Sequence, residues 1–315
     1  MKREIFSRLS AFAFAMGAIL GGSHTLAQAD FPSKPIRFVV PYPPGGSLDI
    51  ISRALGAHLS KGLGQQVVVE NRAGANGNIG LQAVASAPPD GYTVTIGSTA
   101  SMSINPHLYK NPGFDARKDF APIAMLGTLQ CVLAVNRNVP ANTFAEFVAY
   151  LKANPGRVNF ASSGNGHTNH LTGEMFKQQL GVDIRHVPYK GDSPALTDLI
   201  ADRAQMMFPS VLVATPYIRR GEIRAILAAG PERIPSFPDL PAAPEVGLDN
   251  LNADAWLGIF APAGTPPAIA ARLNREINAA LSSQELGARM SALSVRLAPR
   301  SVEEFREVVA RESAR

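Results

Sequence analysis

Phe38-Val39-Val40-Pro41-Tyr42-Pro43-Pro44-Gly45-Gly46-Ser47-Leu48-Asp49-Ile50-Ile51-Ser52-Arg53 is the stretch on which the reading of this chain turns. The apolar run Ile36 to Val40 leads into it and reads as a buried strand. Three prolines and two glycines then force a loop. Ser47 is placed to cap a helix whose apolar positions Leu48, Ile51, Leu55 and Leu59 recur at helical spacing. A strand, a glycine loop and a helix start gather backbone N–H groups and the positive end of a helix dipole at one point, which suits an anion. The same glycines would also serve a plain turn, because the loop lacks a full nucleotide fingerprint.

Outward from that stretch the pattern repeats. Gln66 to Glu70 reads as a second strand, Asn71 to Asn78 as a glycine-rich loop, and a small-residue helix follows to Ala87. Pro88-Pro89-Asp90-Gly91 is a turn. Tyr92 to Ile96 is a third strand, ending in the small polar loop Gly97-Ser98-Thr99-Ala100-Ser101. Ile123 to Val135 reads as one long apolar strand able to pass between domains. The alternation then restarts with a capping box at Thr143-Phe144-Ala145-Glu146 and a helix carrying Phe144, Phe147, Val148 and Leu151 on one side. Val158 to Ala161, Ile184 to Pro188, Met206 to Phe208 and Ile223 to Ala228 are its strands. A helix bearing Leu171, Met175 and Leu180 follows the first of these, and Ser193-Pro194 supplies an N-cap and first-turn proline for another. Beyond the proline-rich connection Gly230 to Pro244, the strand Ala255 to Phe260 returns the chain. Two helices close it, one with the stripe Ile269, Leu273, Ile277 and Leu281, the other opened by the capping box Ser301 to Glu304. Such alternation argues for mostly parallel α/β sheets with ligands off the strand ends. Two similar blocks, 30–127 with 252–315 and 128–251, predict two lobes with a cleft between them.

The bulk composition fits. The chain has 315 residues, 46% hydrophobic and 17% charged, enough for a full core in each of two medium domains. Residues 1–29 read as a secretory signal: Lys2, Arg3 and Arg8 precede an apolar run from Leu9 to Leu20, and Ala27-Gln28-Ala29 is a small-x-small cleavage site. Removing it takes away Lys2, Arg3, Arg8 and Glu4, a net +2, and leaves +3 of the chain's +5. No basic block suggests nucleic acid, and no later stretch has transmembrane length. Cys131 is the single cysteine, so no internal disulfide forms; it reads as a packing residue in an apolar strand.

Catalytic signals are poor. Gly45-Gly46 lacks the Gly-Lys-Ser/Thr of a P-loop, Asn169 stands where Gly164-Asn165-Gly166 would need a third glycine, and no Gly-x-Ser-x-Gly elbow surrounds Ser162 or Ser163. No cofactor is expected. His167, His170 and His186 could form a metal cluster or simply hydrogen-bond within the loop and cap. The loops are instead rich in hydroxyls and bare amides: Ser47, Ser98, Thr99, Ser101, Ser162, Ser163, Thr168 and Ser210, with Gly45 and Gly164 at the turns. Such groups satisfy a carboxylate without a permanent counter-charge. Tyr42 and Tyr189 either close an apolar side of the cleft or pack half-buried.

These residues also carry a resemblance. Pro41 to Asp49, Val69 to Gly80 and Asp90-Gly91-Tyr92-Thr93 look like successive motifs of the extracytoplasmic receptors of the tripartite tricarboxylate transporters, the Bug receptors. Ser163 to Gly166 with His170-Leu171, Val187 to Gly191 and Phe260 to Pro266 continue it over nearly the whole exported chain. The resemblance implies a non-catalytic periplasmic receptor with a two-lobe Venus-flytrap fold, type II-like. It would close on a small carboxylate and deliver it, as a monomer, to the membrane subunits of the transporter. Carried over by position, it points to Tyr42, Gly46, Ser47 and Asp49 with Ser98 and Thr99 on one lobe. On the other it points to Ser162, Ser163, Gly166, Thr168, Tyr189 and Gly191, with Pro209 and Ser210 near the rim. Pro209 departs from the acidic residue common there. Asp49 favours a loop-shaping role, because a bare carboxylate would repel an anionic ligand. A metal-binding receptor and an enzyme on the same frame stand as the alternatives.

Overall fold

The computed structural model describes residues 31–292 and 294–314; the expected signal segment lies outside the described residues. From Lys34 onward the chain forms one compact unit. Its first strands and helices are β1 (Ile36–Val40), α1 (Ser47–Leu63), β2 (Val67–Asn71), α2 (Asn78–Ala85) and β3 (Thr93–Ser98). A π-helical turn, Thr99–Ile104, and the short α3 (Asn105–Leu108) precede β4 (Phe120–Leu129). Next come β5 (Val132–Asn136), α4 (Phe144–Ala153), β6 (Val158–Ser162), α5 (Thr168–Leu180) and β7 (Ile184–Pro188). Then follow α6 (Asp192–Ile200), β8 (Met206–Met207), α7 (Val211–Arg219) and β9 (Ile223–Ala228). The chain finishes with β10 (Ala255–Pro262), α8 (Pro267–Ser282), α9 (Gln284–Ala292), β11 (Val295–Leu297) and α10 (Val302–Ala314).

Two mixed sheets result, ordered β11-β4-β10-β3-β1-β2 and β7-β6-β8-β5-β9. Parallel pairs centre on β1 in the first and β6 in the second. The antiparallel pairs come from β10 and β5, with β11 on the edge of the first sheet. Each sheet has its own aromatic core. In the first lobe Phe260 packs on Phe305 at 5.2 Å between ring centroids, with Trp256 at 6.0 Å from Phe305. In the second, Phe176 meets Phe208 edge-on at 5.6 Å. Separate cores are what make two lobes rather than one thick layer.

The long apolar run does not form one strand. It breaks at Gln130-Cys131, between β4 and β5, where the chain leaves the first sheet. The return segment before β10 lies beside this break. The Ala229 N–H donates to the Cys131 carbonyl at 2.9 Å, the Ala253 N–H to that of Ala229 at 2.7 Å, and the Cys131 N–H to Asp254 Oδ1 at 3.1 Å. Two adjacent crossings tied by a few hydrogen bonds can bend together, as a hinge requires. Other differences are local. The helix expected to bury Leu171 and Met175 buries Thr172, Gly173 and Phe176 instead, leaving Met175 exposed. At Ser301 and Thr143 the expected N-caps form, each hydroxyl accepting from the N–H three residues on.

Phe260→Ala is expected to lower unfolding free energy by ~3–5 kcal/mol in urea titration, because it empties a fully buried ring site. Asp254 tests the hinge. Burial pushes its carboxyl up from 3.8 to about 6, against the Cys131 N–H, which favours the charged form. A raised carboxyl pKa gives stability that is present below the unfolded value and lost as pH rises through about 6. Asp254→Asn should therefore raise Tm at about pH 7.5, and the gain should vanish near pH 4.

Candidate functional site

The parallel core of each sheet puts strand C-terminal ends and helix N-termini on one edge, and these two edges meet. The N-termini of α1, α5, α6 and α7, each of nine residues or more, converge there. Their first-turn dipoles give the region a positive potential without a buried cation. Four side-chain hydrogen bonds join the lobes across it. Ser47 Oγ donates to Asp192 Oδ2 at 3.0 Å and lies 2.7 Å from Ser210 Oγ. Ser193 Oγ donates to the Pro44 carbonyl at 3.3 Å, and Tyr109 to that of Asn165 at 3.1 Å. Tyr42 and His167 meet edge to face at 5.9 Å.

Ser47 is thus not the cap of α1. Gly46 holds the N-cap position with an extended backbone, and Ser47 is the first helical residue, so its hydroxyl points across the cleft. Likewise Gly191, not Ser193, takes the N-cap of α6, which leaves the Ser193 hydroxyl for Pro44. The expected loop at Gly97–Ser101 is the end of β3 and the start of the π-helical turn, capped by Ser98 and Ser101 exchanging side-chain and backbone bonds. Helical first residues carry hydroxyls outward where capping residues fold them back onto their own helix.

Two cavities lie along the meeting edges. The inner one, about 30 Å³, is lined by Ser98, Thr168, Ser210, His167 and Asp192, with apolar walls from Leu48, Leu129, Phe208 and Leu257. That is room for little more than a water, so admitting an organic ligand requires the lobes to part. The outer one, about 240 Å³, takes in Tyr42, Ser163, Gly164 and Tyr189 with Gly74 to Gly77. A larger groove of about 770 Å³, on the second lobe between Asn142 and Val246, contains none of the expected residues. Helix N-termini and cross-lobe hydroxyls surround the inner cavity, which makes it the chemically meaningful one.

Thr168 contributes an unpartnered atom on the inner cavity's lining. The residue is 8% exposed, and its buried Oγ1 has no hydrogen-bond partner. A buried hydroxyl without a partner is costly unless something supplies one, and Thr168 is one of the residues lining the inner cavity. Gly166 and Gly191 lie at the contact between the lobes: a Cβ on Gly166 would meet the end of the Leu108 side chain, and one on Gly191 would come 2.8 Å from Pro43. Neither position has space for a side chain.

Several expected residues point elsewhere. Asp49 accepts from the Gly45 N–H, from Asn71 and from Arg53. Burial works to raise its carboxyl, but those bonds outweigh it and hold it below the ordinary range. It ties the loop to the helix, which is the loop-shaping role. Thr99 Oγ1 accepts from the Trp256 N–H, and Tyr189 donates to Asp198 at 2.7 Å within its own lobe. The Pro209 carbonyl accepts from the Val132 N–H, and that of Gly46 from the Ile50 N–H. Tyr42 is buried, its hydroxyl donating to the Asn76 carbonyl at 3.2 Å.

The three histidines do not form a metal cluster. The rings of His170 and His186 stack at 3.9 Å, His170 Nδ1 accepts from the Gly166 N–H, and His186 Nε2 lies 2.5 Å from Ser162 Oγ. His167 Nδ1 faces Asn169 Oδ1 at 2.9 Å. Among the described residues no group of His, Cys, Asp and Glu is arranged to hold a metal ion. Burial, then the neighbouring His170 charge, lowers His186 to about 4. Burial also lowers His167, against the nearby Asp192.

Two residues escaped the reading of the sequence. Cys131 lies in the break between strands and lines the inner cavity, although it is buried as expected. Asp192 directly follows the stretch Val187 to Gly191 and has no role in the reading of the sequence. Only the meeting of the α6 and α1 N-termini brings it opposite Ser47.

Two sheets with a hinge of two crossings and a hydroxyl-lined cleft define a two-lobe solute-binding protein. The match is specific. Residues 51–313 fit the model of the tripartite tricarboxylate transporter family receptor, more than half of the chain, and the chain belongs to that family. It is 36% identical over 279 residues to Protein BugT of Bordetella pertussis, covering 88% of this chain and 86% of that protein. R. palustris Rpa4515 with adipate superposes with a TM-score of 0.87 at 32% identity, covering 90% of this chain and 95% of that one. MatC from Rhodopseudomonas palustris with bound malate gives 0.84 at 32%, with 90% and 98% covered.

Ser47→Ala removes two cross-lobe bonds without altering the backbone. Each such bond contributes about 1 kcal/mol, so solution scattering should report a larger radius of gyration for the variant at unchanged helix content.

Proposed function

We propose that this receptor captures a small organic carboxylate in the periplasm and hands it to the membrane subunits of a tripartite tricarboxylate-type transporter. It would act as a monomer after removal of residues 1–29. One lobe would be 30–127 with 252–315 and the other 128–251, with the ligand between them. The observation that carries the reading is the convergence of four helix N-termini and the unpartnered Thr168 hydroxyl on the inner cavity. A carboxylate entering there would meet hydrogen-bond donors on both lobes, and its binding would draw the lobes together. The carboxylates bound to the two R. palustris proteins support the ligand class.

Of the expected residues, Ser98, Thr168 and Ser210 fall on the inner cavity, and Ser47 is bonded across the cleft beside it. Ser163 and Gly164 lie at the outer opening with Tyr42 and Tyr189. Gly166 and Gly191 would permit closure, and Asp49 would hold the loop of Gly45 and Gly46. The reading is non-catalytic. The Ser162–His186 pair resembles a nucleophile and base, yet Ser162 is fully buried and lines neither cavity. A histidine titrating near 4 is a weak base at neutral pH.

A thermal-shift screen of mono-, di- and tricarboxylates tests this. A true ligand at about 100 times its Kd adds ~2.7 kcal/mol of stability. Thr168→Val, which keeps the side-chain shape, should weaken that ligand by roughly tenfold or more with little change in the bare melting point. A screen in which no carboxylate shifts the melt would overturn the reading.

A further inference from the structure

Asp192 is the one charged carboxylate side chain lining the inner cavity, and the proposed ligand is itself an anion. Its Oδ2 accepts from Ser47 of the first lobe, and its Oδ1 accepts from Ser163 of the second. Among the described residues no Lys or Arg nitrogen forms an ion pair with it; the salt bridges of this protein lie elsewhere. His167, on the same cavity, is held toward its neutral form by burial, against the pull of Asp192. Two hydroxyls satisfy part of the carboxylate's acceptor capacity, and the helix N-termini around it, including that of its own α6, offer partial positive charge but no full counter-charge.

Two negative charges a few ångströms apart in a closing, water-poor cleft repel by several kcal/mol at an effective dielectric of about 20. A ligand with only carboxylates would bring that cost with it. A ligand that also carries a cation would convert it into attraction and supply the donor that Asp192 lacks. Thr168 Oγ1, buried and unpartnered, offers a separate group to a ligand carboxylate in the same cavity. The cavity thus presents a hydroxyl donor for an anion and a carboxylate acceptor for a cation, between apolar walls.

We propose that Asp192 makes this receptor selective for a carboxylic acid bearing a protonated amine, with the ammonium on Asp192 and the carboxylate toward Thr168 and the helix N-termini. This rests on the carboxylate-receptor reading and narrows it. The contact is charge-assisted, so exchanging the amine for a hydroxyl leaves a neutral donor and removes the charge that matches Asp192.

The test measures binding by calorimetry for matched pairs: aspartate against malate, alanine against lactate, and 4-aminobutanoate against glutarate. The full receptor and Asp192→Asn are compared, with a melt to check that the variant is folded. The wild-type protein should prefer the amine member of at least one pair by roughly 100-fold, and Asp192→Asn should abolish or reverse that preference. Wild-type binding alone is already decisive: a hydroxy acid or dicarboxylate bound as tightly as its amine counterpart overturns the proposal while leaving the receptor reading intact. An equal gain for both members of a pair in Asp192→Asn also overturns it, since Asp192 would then only latch the lobes together. Failure of every compound to bind either protein would instead strike the carboxylate reading on which the proposal stands.

Discussion

The structure depends on one constraint of parallel sheets: every strand C-terminus and every following helix N-terminus falls on the same edge. Each lobe has such an edge, and two chain crossings, tied through Cys131, Ala229 and Asp254, hold the edges opposite each other. Everything of chemical interest follows from that meeting. Helix dipoles that would be solvated on a single domain instead converge on an enclosed space. Hydroxyls on first helical turns find partners on the other lobe. Glycine stands where a positive φ coincides with a side chain from the other lobe, Leu108 at Gly166 and Pro43 at Gly191.

Closure is held by few and small bonds. Ser47 reaches both Asp192 and Ser210, the other contacts around the cleft engage a backbone carbonyl at the rim or an aromatic edge, and away from the cleft Ser236 meets Ser294 and Arg296 pairs with Glu232. Each contributes on the order of 1 kcal/mol, so the lobes can part at modest cost while each lobe keeps its own core. A receptor needs this division of labour: rigid jaws with Phe260–Phe305 and Phe176–Phe208 at their centres, and a weakly bonded seam between them. Asp254, buried at the crossing with its carboxyl pushed up to about 6, places an electrostatic cost at the hinge.

The architecture was legible because hydrophobic periodicity and glycine punctuation are local properties. Strand β9 at Ile223–Ala228 and the stripe of α8 could be read directly. Errors came where one residue had two plausible partners. Ser47 and Ser193 have the composition of caps, and nothing nearby in sequence says that the helix starts one or two residues earlier, freeing both hydroxyls for the other lobe. The Ile123–Val135 run is continuously apolar because it serves two cores in turn, which hides its break at Gln130-Cys131.

The sequence by itself determined two α/β blocks, their strand-end loops of small hydroxyl residues, and the family. These rest on short-range patterns and on motifs whose order survives without coordinates. Only the tertiary structure decided which hydroxyls share a cavity, that Thr168 Oγ1 is buried without a partner, and that Asp192 faces Ser47 from 145 residues away. The physical reason is that electrostatics and hydrogen bonding act through space. The charge on Asp192 acquires its meaning from a lobe that the chain reaches only after crossing from one sheet to the other.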